Sequence, residues 1–192
     1  MLMKLLQSYK NGNYSVSIFS DGTKIRRCPD EGCLPIFPEN IDMKITNRCD
    51  AGCAFCHEDS KPDGLNAHFE HDFLWSLKPG TELAIGGGNI FENKEKLNWF
   101  LTWCKEKKII PNVTVNQRHI KNFKSTVHGK EYHYPNDNMS FLIQSYAKNQ
   151  LYGLGVSYNG NAEELNKMFE PIDDEQKANL EIMRKNTVIH II

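Results

Sequence analysis

The chain has 192 residues, with 23 Lys and Arg against 24 Asp and Glu, giving a formal net charge of −1. That length suits one domain with a sizeable core. The balanced charge supplies no strong basic field for nucleic acid or an acidic membrane, and no apolar run approaches the roughly 20 residues that span a bilayer.

The opening Met1-Leu2-Met3-Lys4-Leu5-Leu6 is too short for a signal-peptide core, and no small-residue cleavage site follows it. A cytoplasmic, reducing setting is therefore the expectation. Three of the six cysteines crowd into eight residues, which suits a metal better than disulfides. Residues 13–27 read as a β-hairpin: Tyr14-Ser15-Val16-Ser17-Ile18 alternates, Asp21-Gly22 turns, and Thr23-Lys24-Ile25-Arg26 returns. Residues 28–38 form a connector punctuated by Pro and Gly.

From Ile41 onward, strand-like and helix-like segments take turns. The expected strands are 41–46, 82–86, 112–116, 152–158 and 187–192. The expected helices are 71–78, 94–108 and 139–149, with a further helical region at 162–185 interrupted by Pro171. Asn93, Asn138 and Asn161 occupy N-cap positions. The polar stretch 118–137, rich in His and Tyr, reads as an inserted loop, and its histidines 119, 128 and 133 as solvated.

Repetition of strand, helix, strand predicts a parallel sheet. Strands covered on both faces would be nearly continuous apolar runs, but these alternate. Ile41, Met43 and Ile45 oppose Asp42, Lys44 and Thr46; Val113 and Val115 oppose Thr114 and Asn116; Leu154 and Val156 oppose Gly155 and Ser157. One face thus packs on helices while the other is polar or small. The fold class is α/β, a partial (β/α) barrel of parallel strands over 41–192, preceded by the hairpin and connector of 1–40. Its active groups belong at the C-terminal ends of the strands. Asp42 and Lys44 read as a buried pair supporting the barrel floor, and His190, inward by the same alternation, as a weak catalytic candidate.

The loop after the first of these strands holds Cys49-Asp50-Ala51-Gly52-Cys53-Ala54-Phe55-Cys56-His57. Three thiolates at CxxxCxxC spacing leave a four-iron cluster one ligand short, and an open iron can bind a substrate. A zinc knuckle, or a cluster completed by a fourth cysteine, is the plain alternative. Cys28, Cys33 and Cys104 are scattered and form no auxiliary-cluster pattern; Cys104, among Trp99, Phe100 and Trp103, reads as core.

With Phe55 at the aromatic position, the motif resembles the CxxxCxΦC signature of radical S-adenosylmethionine (radical SAM) enzymes. The resemblance implies that Cys49, Cys53 and Cys56 hold a [4Fe–4S] cluster whose free iron chelates S-adenosyl-L-methionine. An electron then cleaves the cofactor, and a 5′-deoxyadenosyl radical abstracts hydrogen from a substrate, small molecule or peptide. It implies that Phe55 shields the adenine and that Gly52 lets the backbone approach the cluster. Gly86-Gly87-Gly88-Asn89 stands where the family has its Gly-Gly-Glu motif, with Gly88 in place of the acid; backbone carbonyls or Asn89 are left to accept from the methionine amino group. Ser157 matches the region contacting the ribose and carboxylate; Asn116, ending its strand, faces the same polar side, and either group could equally be satisfied within the sheet. His57, Glu58 and Asp59 bond the sulfurs or the cofactor, or only start a solvated turn. A reductant such as flavodoxin or ferredoxin is the implied partner.

The family core has six strands, so this one, ending on a fifth, is expected to be incomplete at its C-terminal end. Its last strand is expected to self-associate or to recruit a partner. Two other readings stand beside the enzyme: an iron–sulfur electron-transfer or metal-binding module without radical chemistry, and an inactive remnant that binds a partner.

Overall fold

The computed structural model describes residues 4–20, 23–54, 56–68, 71–120, 123–127, 130–134, 137–158, 181 and 187–191. The chain is α/β, built on a five-stranded parallel sheet and a separate three-stranded antiparallel sheet.

The antiparallel sheet comes first, with strands β1 Leu5–Asn11, β2 Tyr14–Phe19 and β3 Lys24–Arg27 in the order β1-β2-β3. The expected hairpin is β2 and β3, with Asp21-Gly22 outside the described residues. The strand β1 was not expected: its Leu5 and Leu6 are exposed, so it lacks the one-sided apolar alternation that marks a strand in sequence. Tyr14, Val16 and Ile18 of β2 pack with Ile110, so this sheet sits against the start of a central strand of the larger one. Glu39 fastens it further. Its buried carboxylate accepts from Tyr14 Oη and from Arg26 Nη2 at 2.8 Å. In the connector, Cys28 and Cys33 are joined as a disulfide, their Cα atoms 5.0 Å apart.

The parallel sheet contains β4 Asn40–Thr46, β5 Glu82–Gly87, β6 Ile110–Asn116, β9 Gly153–Tyr158 and β10 Thr187–Ile191, in the spatial order β10-β9-β6-β5-β4. All five strands were expected, and β6 begins two residues earlier than expected, running through Pro111. Spatial order follows chain order without reversal, because each crossover lays its strand beside the one before. The helices with described bounds are α1 His71–Ser76, α2 Lys94–Lys107 and α3 Asp137–Ala147. Asn93 caps α2 as expected, accepting from Lys96 N at 2.8 Å. Asn138 does not cap α3: the helix already includes it, and its Nδ2 donates to the His119 carbonyl at 2.6 Å. Asn161 and most of 162–185 lie outside the described residues; Glu181 is helical. The stretch 118–137 is more than a loop, since β7 Phe123–Val127 and β8 Lys130–Tyr134 pair antiparallel within it.

The alternation of the strands sorts the two faces of the sheet. Leu83, Ile85, Val113, Val115, Leu154 and Val156 are buried against Leu97, Phe100 and Leu101 of α2 and Leu142 of α3. Burying each such side chain stabilises the fold by about 1.5–3 kcal/mol. Cys104 belongs to this core and is wholly buried. The opposite face carries Asp42, Lys44, Ala84, Thr114, Asn116 and Ser157 and stays open. Among the described residues, no helix is long and apolar enough to cross a membrane.

Candidate metal centre

The cysteine loop leaves the end of β4 and is closed by its own backbone. Asn47 N donates to Leu65 O at 2.8 Å, Cys49 N to Lys61 O at 2.9 Å, and Lys61 N to Asn47 O at 3.0 Å. The end of β5 is stitched to the same root: Gly88 N donates to Thr46 O at 2.8 Å and Asn89 N to Arg48 O at 2.7 Å. That closeness demands glycine. A Cβ at Gly87, where φ is +111°, would lie 2.3 Å from Thr46 O, and one at Gly88 would lie 2.1 Å from Arg48 O. A glutamate at Gly88 is therefore sterically barred. Gly52, in the cysteine loop, has φ +59° with open space beyond it, so its conformation, not crowding by protein atoms, calls for glycine.

At the C-terminal ends of the strands lies a cavity of about 490 Å³, within the size range of small-molecule sites. Cys49, Cys53 and Cys56 line it, together with Gly86, Gly87, Gly88, Asn116 and Ser157. Residues separated by up to 108 positions in sequence thus share one concavity, as the alternation of the strands predicts. Asn89 does not line it; its side-chain oxygen instead accepts from Phe91 N at 3.1 Å, capping a 3-10 turn. Phe55 lies outside the described residues. His190 is in register with Ser157, and its side chain lies outside what is described.

The three thiols differ in setting. Cys53 and Cys56 are exposed and Cys49 is half-buried; burial pushes the Cys49 thiol above its ordinary value. Each sulfur has a nitrogen beside it. Asn116 Nδ2 is 3.3 Å from Cys53 Sγ, Ser60 N is 3.4 Å from Cys56 Sγ, and His119 Nε2 is 3.8 Å from Cys49 Sγ.

His119 corrects the expectation of a solvated loop histidine. It is 8% exposed and its Nε2 also stands 3.4 Å from Asp50 Oδ1. Burial lowers its pKa below the ordinary histidine value, against the opposing pull of Asp50. Cys49, Asp50 and His119 form a compact group of potential metal ligands whose donor atoms all lie within 4.8 Å of one another. The short turn Gln117–His119 after β6 brings this about, and its Arg118 Nη1 also donates to Ala51 O in the cysteine loop. No spacing rule links His119 to Cys49 across 70 residues. The available signal was position: both loops follow strands at the same end of the sheet.

Asp42 and Lys44 are not a buried pair. Both are exposed, and Lys44 Nζ reaches the cysteine loop, 2.7 Å from Glu58 Oε2. The Lys44 ammonium holds the Glu58 carboxyl below the usual glutamate range. His57 is solvated, with Nε2 3.1 Å from Glu58 Oε1.

Compared with protein-family models, curated proteins and solved structures, the chain gives no match.

Proposed function

We propose that this chain is a radical SAM enzyme whose Cys49, Cys53 and Cys56 hold a [4Fe–4S] cluster beside a cavity for S-adenosylmethionine. The observation that carries the reading is their common cavity, which also takes in Gly86, Gly87, Asn116 and Ser157 at the strand ends. The donor set fits the group: three soft thiols facing one concavity suit iron and sulfide. A fourth cysteine is not at hand. Cys104 is buried in the core formed with α2, and Cys28 and Cys33 lie in the connector and do not line the cavity. That leaves one iron for a ligand.

When bound, such a cluster supplies one electron to S-adenosylmethionine, and the radical released takes hydrogen from a substrate. The chain's own part is to bind and orient. Gly86, whose Cβ position is open, leaves room along β5, and the carbonyls of the glycine run serve as acceptors for an amino group. Ser157 offers a hydroxyl on the same face. A strand order without reversal and a polar concave face support a partial barrel. Flavodoxin or ferredoxin would serve as reductant, and the substrate would be a small molecule or peptide. Among the described residues β10 stands at one end of the sheet, where a strand from another copy or a partner could add.

The compact Cys49, Asp50 and His119 group favours a second reading, a mononuclear metal site. Elemental and sulfide analysis of anaerobically purified protein separates the two. Iron and acid-labile sulfide in equal amounts support the cluster; a single zinc or iron without sulfide supports the alternative.

A further inference from the structure

We propose that Asn116 and His119 raise the reduction potential of the cluster by donating hydrogen bonds to two of its thiolate ligands, Cys53 and Cys49. The inference rests on the cluster reading above and assigns these two side chains to the sulfurs as positioning residues.

Both donors have defined orientations. Asn116 Oδ1 accepts from Arg118 N at 2.9 Å, so the carboxamide turns its NH₂ toward Cys53 Sγ, 3.3 Å away. The reversed amide would set an N–H against an N–H. His119 Nε2 stands between Cys49 Sγ at 3.8 Å and Asp50 Oδ1 at 3.4 Å. A thiolate and a carboxylate only accept, so Nε2 is the nitrogen that carries the proton. The residue is buried, and its carbonyl is tied to Asn138 Nδ2, which fixes the turn that bears it. Arg118, between the two donors, clamps the cysteine loop at Ala51 O.

An N–H aimed at a ligand sulfur stabilises the extra negative charge that the sulfur gains on reduction. Hydrogen bonds to the sulfurs are one of the factors that set iron–sulfur potentials. The third sulfur, Cys56, receives its N–H from the backbone of Ser60 within its own loop. The turn after β6 therefore supplies the side-chain share of this tuning, from a different strand than the one that bears the ligands.

The test is a redox titration, followed by electron paramagnetic resonance, of the full chain reconstituted anaerobically with iron and sulfide. Asn116→Ser keeps an acceptor for Arg118 N and removes the reach to Cys53; His119→Leu removes the second donor, and His119→Gln keeps an N–H there. At the potential where the parent is half reduced, Asn116→Ser and His119→Leu should each show at least a tenfold lower ratio of reduced to oxidised cluster. For a one-electron couple that is a midpoint lowered by about 59 mV. His119→Gln should return toward the parent. Should His119→Leu fail to hold a cluster, the more accessible Asn116→Ser decides. Unchanged midpoints in cluster-loaded variants would overturn the inference while leaving the cluster reading intact. A parent that assembles no cluster at all would overturn both.

Discussion

A side-chain carbon on Gly88 would stand 2.1 Å from the carbonyl oxygen of Arg48, which already accepts the Asn89 N–H at 2.7 Å. The end of β5 and the root of the cysteine loop are thus in backbone contact, with no space for the acid usual at this place in the family the motif resembles. The glycine belongs to the way this loop is seated. Gly88→Ala is expected to cost at least the 1–3 kcal/mol typical of overpacking and to lower cluster content. Gly86→Ala, whose Cβ meets nothing within 4 Å, should unfold like the parent but bind S-adenosylmethionine more weakly. Urea unfolding and iron analysis of the two variants check this.

If the proposed four-iron cluster forms, replacement of Cys49, Cys53 or Cys56 by Ala should each abolish it, since three thiolates would then be its whole protein ligation. Cys28→Ala, Cys33→Ala and Cys104→Ala should retain it. For Cys104 the physical ground is its burial, which pushes the thiol up to about 12 and keeps it from acting as a thiolate. Iron and sulfide per chain, read alongside the visible absorption band, decide the matter. Loss of the cluster on changing Cys104 would mean a fourth ligand.

Glu39 predicts an acid-sensitive joint between the two sheets. Burial alone would raise its pKa, but hydrogen bonds from Arg26 and Tyr14 outweigh that and hold the carboxyl below the ordinary glutamate value of 4.5. The folded pKa is depressed, so the stabilisation is complete above 4.5 and is lost as pH falls from there through the folded value. Glu39→Gln should cost about 1.5–3 kcal/mol at neutral pH, the worth of hydrogen bonds to a charged group. It should also flatten this part of the acid limb. Urea midpoints of parent and variant across that pH window provide the measurement.

The parallel strands were legible because each alternates cleanly, and the alternation also told which side chains face the cavity: Thr114, Asn116 and Ser157 are where a period of two puts them. That Cys49, Cys53 and Cys56 come together was legible because CxxxCxxC is local, and all three line the one cavity. What escaped the sequence was tertiary. Lys44 was expected beside Asp42, two residues away, but a flexible ammonium seeks the nearest anion in space, and the returning loop presents Glu58. His119 gave no sign of burial, because the turn after β6 folds it beneath Cys49. Asn138 has the composition of a cap but is claimed by the His119 carbonyl, while Asn89, expected at the cofactor, is used as a cap. Short polar side chains serve either purpose, and only the fold assigns them.

In the function proposed, the three cysteines present a cluster with one iron open to S-adenosylmethionine. The most direct measurement is the electron paramagnetic resonance spectrum of the reduced, reconstituted protein with and without excess S-adenosylmethionine, with 5′-deoxyadenosine measured in the same samples. An open iron should give a changed spectrum on adding the cofactor and release of 5′-deoxyadenosine. A reduced four-iron signal unaltered by excess cofactor, with no 5′-deoxyadenosine formed, would contradict it.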